Sequence, residues 1–412
     1  MPLALGDGDF GVCLPLCDDR LMTRALVCGA GPAGLATAAC LKQAGVEVTV
    51  LERGEAVGAA WRRRYGALRL NTLGSMSGLP GYRATRRRYG EFPTRDMWVR
   101  YLEDYTRHHQ LDISCGVEVQ RIERAPGGWL LHTSAGEREA SFVVMATGFD
   151  HDPHIPRWTG LESFQSEIIH AGEYQDPEPY RGRDVLIVGG ASSGSEIAAF
   201  LANGGAGRVR VAMRTPPTLS KRRWLGGPTN PSAVLLDHLP DKLADTIIRT
   251  SQRMMFGDLS TYGLPHPPLG LKSSIKHRLI GAAIDDGFVA ALKEGRIEIT
   301  PPLDSLDGRE VILADGSRLQ PEVVICATGY RRGLAELVGH LDVLDARELP
   351  RGYPTVEVRG VPGLFFVGYF SKVSGQLRQM RFEARRVARS VCRQPQPAPP
   401  EHEPVSASVR VS

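Results

Sequence analysis

A chain of 412 residues with 42% hydrophobic and 23% charged side chains holds enough apolar material for two substantial globular domains. Its formal charge of +4 is small, and the arginine runs at 62–64 and 86–88 are short and lack interleaved aromatics, which argues against nucleic-acid binding and for solvated surface or anion contact. The seven cysteines are scattered, with no Cys-x-x-Cys pair and no histidines at ligand spacing, and no apolar run approaches the roughly 18 residues needed to span a bilayer; a reducing cytoplasm is expected, with no catalytic disulfide, metal site or membrane span.

Asp7, Asp9, Asp18 and Asp19 interrupt any apolar secretory core in the first 22 residues. The run Ala25-Leu26-Val27-Cys28 then predicts a buried strand. It leads into Gly29-Ala30-Gly31-Pro32-Ala33-Gly34, a helix to about residue 44, and a strand over 46–51 closed by Glu52. In a strand, glycine turn and helix of this kind, backbone N–H groups receive a pyrophosphate, and an acid ending the second strand accepts hydrogen bonds from the adenosine ribose. A helix over 96–109, a hairpin of strands 117–123 and 128–133, and a buried strand over 142–146 ending in Thr147-Gly148-Phe149 follow.

The pattern then repeats. Val185-Leu186-Ile187-Val188 precedes Gly189-Gly190-Ala191-Ser192-Ser193-Gly194, a helix over 194–203 and a strand over 209–213. Ala191 stands at the second glycine place and narrows the pyrophosphate approach by one methyl group, while Ser192 and Ser193 can orient phosphate. This second strand ends at Arg214 where the first ends at Glu52. A guanidinium binds a 2′-phosphate that an acid would repel, so NADPH is favoured over NADH, with Lys221, Arg222 and Arg223 as further cations; otherwise Arg214 merely solvates a strand end.

After a mixed segment at 229–295, strands at 296–299, 310–314 and 322–326 run into Cys326-Ala327-Thr328-Gly329-Tyr330, an echo of Ala146-Thr147-Gly148-Phe149. Two such exits imply that the chain crosses between domains near each. The expected fold is α/β, a two-dinucleotide-binding-domain flavoprotein. An NADPH domain (166–325) is inserted into an FAD domain split between 24–165 and 326–392, and a disordered tail follows (393–412). Residues 363–368, ending at Gly368, form the last strand, and a helix over about 374–389 presents its N–H groups to the flavin's pyrimidine side.

These motifs, with Gly58, Trp61 and Leu70-Asn71-Thr72, resemble the class B flavin-dependent monooxygenases over roughly 24–390: flavin-containing monooxygenases, Baeyer–Villiger monooxygenases, N-hydroxylases and plant-type indole-3-pyruvate monooxygenases. Residues 164–174 are similar to the family fingerprint Phe-x-Gly-x-x-x-His-x-x-x-aromatic, with Ser166 in place of glycine and Tyr174 as the aromatic. That stretch, 180–200, Tyr262-Gly263-Leu264 and 285–297 are closest to the plant-type branch.

The resemblance implies FAD and NADPH as cofactors, dioxygen and a small organic molecule as substrates, and a C4a-(hydro)peroxyflavin that oxygenates nitrogen or sulfur. The alternative is attack on a carbonyl, giving Baeyer–Villiger oxygenation or oxidative decarboxylation of a 2-oxo acid; a flavin reductase is a weaker reading. It places Gly29, Gly31, Pro32, Ala33, Gly34, Glu52, Arg53, Trp61, Thr147, Gly368 and Gln376 around FAD, and Gly189, Ala191, Ser192, Ser193, Gly194, Arg214, Thr328 and Gly329 around NADPH. Asn71 matches the family's flavin-side asparagine, with loop capping as the alternative, and is paired as a catalytic candidate with His170, for which conformational control, proton transfer and packing all stand open. Lys372 and Arg378 are candidates for meeting a polar substrate, Tyr262 and His266 for lining its entrance, and a homodimer is compatible.

Overall fold

The computed structural model describes residues 24–278, 280–352 and 356–394; the first 23 residues and nearly all of the expected tail lie outside them. Two five-stranded sheets organise the chain. The first runs, in spatial order, Leu364–Phe366, Phe142–Met145, Arg24–Cys28, Glu47–Glu52, Asp112–Cys115, with every pairing parallel. The second runs Ile297–Thr300, Arg208–Ala212, Asp184–Val188, Val323–Cys326, Glu167–His170, again all parallel. Each central strand is a continuous apolar run buried on both faces, as a parallel sheet covered by helices requires.

The second sheet is built wholly from residues between Met145 and Leu364, which sit side by side as strands of the first sheet. Topologically, then, one Rossmann-type unit is threaded into the other. The last helix, Gln376–Val391, returns to pack on the first glycine-turn helix, Pro32–Gln43, and shares its core.

The two glycine turns are built alike. Gly29 and Gly189 have φ of +111° and +112°. A Cβ on Gly34 would stand 1.8 Å from the Gly29 carbonyl oxygen, and one on Gly194 would stand 1.9 Å from that of Gly189. Only glycine lets each helix approach its strand so closely. The middle position differs: a Cβ on Gly31 meets nothing within 4 Å, so the methyl of Ala191 at the matching place is accommodated by the fold.

Several local readings shift. The expected hairpin is a three-stranded antiparallel sheet, Val119–Ala125, Gly128–Thr133 and Gly136–Ala140; the charged run Gly136-Glu137-Arg138-Glu139-Ala140 hides its third strand from an apolar pattern. The second-unit strand stops at Ala212, two residues before Arg214. The mixed segment resolves mainly into helices, Asn230–His238, Asp241–Phe256, Leu271–Arg278 and Phe288–Lys293, joined by short strands and turns.

Gly34→Ala is expected to lose about 1–3 kcal/mol of stability through overpacking against the Gly29 carbonyl. Gly31→Ala should melt like the parent, since its added methyl meets no protein atom. Urea denaturation of both variants checks the contrast.

Candidate functional site

One cavity of about 1090 Å³ spans both units. From the first it is lined by strand ends and turns, including Gly29, Gly31, Pro32, Ala33, Glu52, Arg53, Trp61, Asn71 and Thr147; from the second, by Ser192, Ser193 and Glu196 at the start of the helix Ser192–Asn203. The final helix contributes Gln376, Leu377 and Met380, and the 371–373 loop adds Lys372.

At the first turn, no side chain caps the helix Pro32–Gln43, so the N–H groups of its opening turn have no side-chain partner. Glu52 is held below that turn: its carboxylate accepts from the Ala30 N–H at 2.8 Å and from the Gly54 N–H at 2.8 Å, and each oxygen keeps further lone-pair capacity. Trp61 packs edge-on against Trp98 at 6.0 Å, and Thr147 exchanges a 2.7 Å hydrogen bond with the buried Tyr369 hydroxyl. Gln376 donates to the Gly368 carbonyl at 2.6 Å, and the Gly368 N–H donates to the buried Glu383 at 2.8 Å. Gly368 itself stands behind the wall, against Ala33.

At the second turn the equivalent hydrogen bonds set the register. The Gly29 N–H donates to Leu51 and the Gly189 N–H to Ala212, at 2.7 and 2.8 Å. Met213 is therefore the counterpart of Glu52, and Arg214 that of Arg53. A Cβ on Gly190 would meet the Met213 thioether at 2.8 Å, so a sulfur occupies the place that Glu52 takes below Ala30. The reading that set Arg214 against Glu52 was one residue out, because strand ends cannot be counted to a single residue from an apolar pattern. Arg214 is exposed and sits near His154. Its suggested helpers go elsewhere: Arg222 pairs with Asp286, Arg223 with Glu91 at 2.7 Å, and the Lys221 ammonium lies over the Phe256 ring.

Arg222 instead ties the second unit to the first. It donates to the Leu70 carbonyl at 3.3 Å and to the Asn71 side-chain oxygen at 3.3 Å, which leaves the Asn71 amide nitrogen as the donor toward the cavity. His170 is buried outside the lining, with its Nε2–H donating to the Gly329 carbonyl at 2.9 Å and its Nδ1 accepting from the Gly172 N–H at 3.0 Å. Burial lowers its pKa, and the neutral ring bridges two strand ends. Thr328 and Gly329 lie with it, away from the cavity, as does Arg378; Tyr262 and His266 are exposed and also outside the lining.

Sequence reasoning missed two groups. Glu196 is 4% exposed, lines the cavity and accepts a hydrogen bond from Tyr65, which belongs to the first unit but is buried in the core of the second. The apolar far wall, from Leu235, Ile247, Ile248, Met255, Leu271 and Ile275, comes from the helical segment that composition left unresolved. The helix Asp241–Phe256 buries only Ala244, Asp245 and Phe256, so most of its apolar residues are left outside a packed core.

Residues 26–232 match the family described as pyridine nucleotide-disulphide oxidoreductase. The chain is 31% identical over 359 residues to the probable indole-3-pyruvate monooxygenase YUCCA9 of Arabidopsis thaliana, covering 84% of each protein. Among solved structures it resembles the flavin-containing monooxygenase from Stenotrophomonas maltophilia (TM-score 0.65, 22% identity, 90% of this chain and 98% of that one). It also resembles OTEMO in complex with FAD and NADP (TM-score 0.66, 18% identity, 90% and 84%). The chain belongs to the class B flavin monooxygenase-like family, on the Rossmann-type fold of the pyridine-nucleotide oxidoreductases. Among the described residues, Cys28, Cys40 and Cys326 are buried thiols that burial pushes up to about 12. Among the described residues no helix is long and apolar enough to cross a membrane, and no acid, histidine and cysteine cluster could hold a metal.

Burial pushes Glu196 and Glu383 from 4.5 up to about 7. Between about pH 4.5 and about pH 7 the folded chain keeps protons that the unfolded chain has released, so these two groups make stability fall as pH rises through that window. The urea midpoint of Glu196→Gln should show a shallower slope there than that of the parent.

Proposed function

We propose that this chain is an FAD- and NADPH-dependent monooxygenase that oxygenates a small, largely apolar organic molecule at nitrogen or sulfur. The observation that carries the reading is a single cavity reached from both glycine turns and closed at its far end by apolar helices.

The residues present fit the two cofactors. The uncapped turn at Gly31–Ala33, open beside Gly31, suits a pyrophosphate; Glu52 retains acceptor capacity for ribose hydroxyls; and Trp61, Asn71, Thr147 and Gln376 stand where the broad ring system of a flavin would extend. On the other side, Ser192 and Ser193 face the cavity at the start of their helix, and the exposed Arg214 is the cation offered to a 2′-phosphate. Bound flavin supplies hydride acceptance and the activation of dioxygen. The chain's own part is to orient and to exclude water. Arg222 holds the Asn71 oxygen so that its amide nitrogen donates into the cavity, while the apolar wall keeps bulk water from the reacting end.

The charge of the wall supports nitrogen or sulfur over a 2-oxo acid. The helical wall presents Leu235, Leu236, Leu239, Ile247, Ile248 and Met255, and its polar lining groups are uncharged (Asn230, Ser232, Ser251, Gln252). A neutral, apolar-bodied substrate suits such a wall better than a carboxylate, whose burial without a cation is costly. Carbonyl-directed oxygenation of a 2-oxo acid is the second reading. It is favoured by the similarity to an indole-3-pyruvate monooxygenase and by Lys372, a cation on the cavity wall able to meet a carboxylate.

Incubation with NADPH, dioxygen and a panel of tertiary amines, thioethers and aryl 2-oxo acids, analysed by mass spectrometry, tests the choice. N-oxide or S-oxide products support the first reading, and loss of carbon dioxide from the oxo acids supports the second. Arg214→Ala should weaken NADPH binding about 10- to 100-fold and leave NADH nearly unchanged; equal losses for both would remove the 2′-phosphate assignment.

A further inference from the structure

Among the described residues four carboxyl groups reach the cavity, and three are committed. Glu52 holds the backbone of the first glycine turn, Asp150 is paired with Arg64, and Glu118 lies at the exposed edge near Arg53. The cavity's histidine, His151, is committed too: Arg53 contacts its Nε2 at 3.0 Å and Asp152 its Nδ1 at 2.8 Å. Glu196 differs from all of these. It is buried, it lines the cavity, and its hydrogen-bond partner is the neutral hydroxyl of Tyr65 rather than a cation. The charged groups around the pair are Asp286 and Arg222, which are bonded to each other, and Arg64 beside Tyr65. Burial is the largest influence on Glu196 and opposes its ionisation, as does Asp286, while the Tyr65 hydrogen bond and Arg222 favour it.

An NADPH-driven oxygenation takes up one proton in each turnover. One oxygen atom of dioxygen bonds to the substrate. The other leaves as water, with the hydride taken from NADPH and with that proton; NADPH is oxidised and dioxygen reduced. A buried carboxyl on the cavity wall can carry that proton to the reacting end. We propose that Glu196 is the group that holds and delivers this proton, with Tyr65, contributed by the other unit, as its positioning partner. The Tyr65 hydroxyl occupies Oε2, so the acid proton sits on Oε1. Glu196 is ionised after delivery and is reprotonated before the next cycle. The inference rests on the oxygenase reading above.

Infrared spectroscopy of the cofactor-free chain across a pH titration examines the proton directly. A protonated-carboxyl band that titrates near pH 7 should lose a component in Glu196→Gln that Glu383→Gln retains. If Glu196→Gln loses none, the proposal is overturned whatever the enzyme does. In turnover, Glu196→Gln should lower kcat by about 100-fold and abolish the decline of rate as pH rises through about 7, with Glu196→Asp restoring part of both. Tyr65→Phe removes a hydrogen bond that favours the carboxylate, so it should move that decline to higher pH. A Glu196→Gln enzyme with kcat within about threefold of the parent and the same pH limb would overturn proton delivery. If the band is present and the parent oxygenates none of the substrate classes, the oxygenase reading falls, and the destination of the proton falls with it.

Discussion

The architecture depends on a missing methyl group at two places. In each unit the helix after the glycine turn comes so close to its strand that a Cβ on the sixth residue of the turn would overlap the carbonyl oxygen of the first. That approach leaves the opening N–H groups of the helix uncapped and aims them beyond the carboxyl ends of the strands, where a parallel sheet has room for a ligand. Glu52 then uses the same geometry in the first unit, gripping the turn from below through Ala30 and Gly54. In the second unit Met213 fills that place, and a buried thioether cannot accept a ribose hydroxyl's hydrogen bond with comparable strength. The two units share a frame and differ in the chemistry set beneath it.

A cavity between two units also needs the units held in place. Tyr65 leaves the first unit and is buried among Tyr174, Phe200 and the core of the second, with its ring edge-on to both. Arg64 beside it donates to the Tyr330 hydroxyl at 2.9 Å, and Arg222 reaches back to the loop at 69–71. The seam is thus an aromatic plug flanked by guanidinium contacts to hydroxyl, carbonyl and amide oxygens. It gives a polar residue such as Asn71 a defined orientation at the wall of an otherwise apolar chamber.

The far wall has another physical origin. The helices at 230–278 cover the chamber with one side, on which Leu235 and Ile247 remain substantially exposed. They are weakly buried because they pack against a cavity rather than a solid core. This segment shapes the far end of the cavity, whereas the sheets and glycine turns are a frame that hosts many chemistries.

The sequence alone determined the two Rossmann-type units and their insertion, because these rest on local rules: apolar runs of strand length, glycines at fixed offsets, an acid at a strand end. Gly29, Gly31 and Glu52, named by those rules, line one cavity together with Thr147 and with Trp61 and Asn71, which the family resemblance named. Rules of that kind failed where a position depends on distant partners. For His170 the sequence leaves conformational control, proton transfer and packing open, and only the fold shows that both its nitrogens are taken by backbone groups, one of them on Gly329 in a neighbouring loop. The cluster Lys221-Arg222-Arg223 reads as a phosphate pocket, yet its members pair with Asp286, Glu91 and an aromatic ring. Glu196 reads as an ordinary helix residue, and only tertiary structure buries it against Tyr65 at the cavity wall. Patterns of backbone and burial are written within a few turns of chain, whereas the protonation and pairing of a side chain are decided by whatever the fold brings to it from far away.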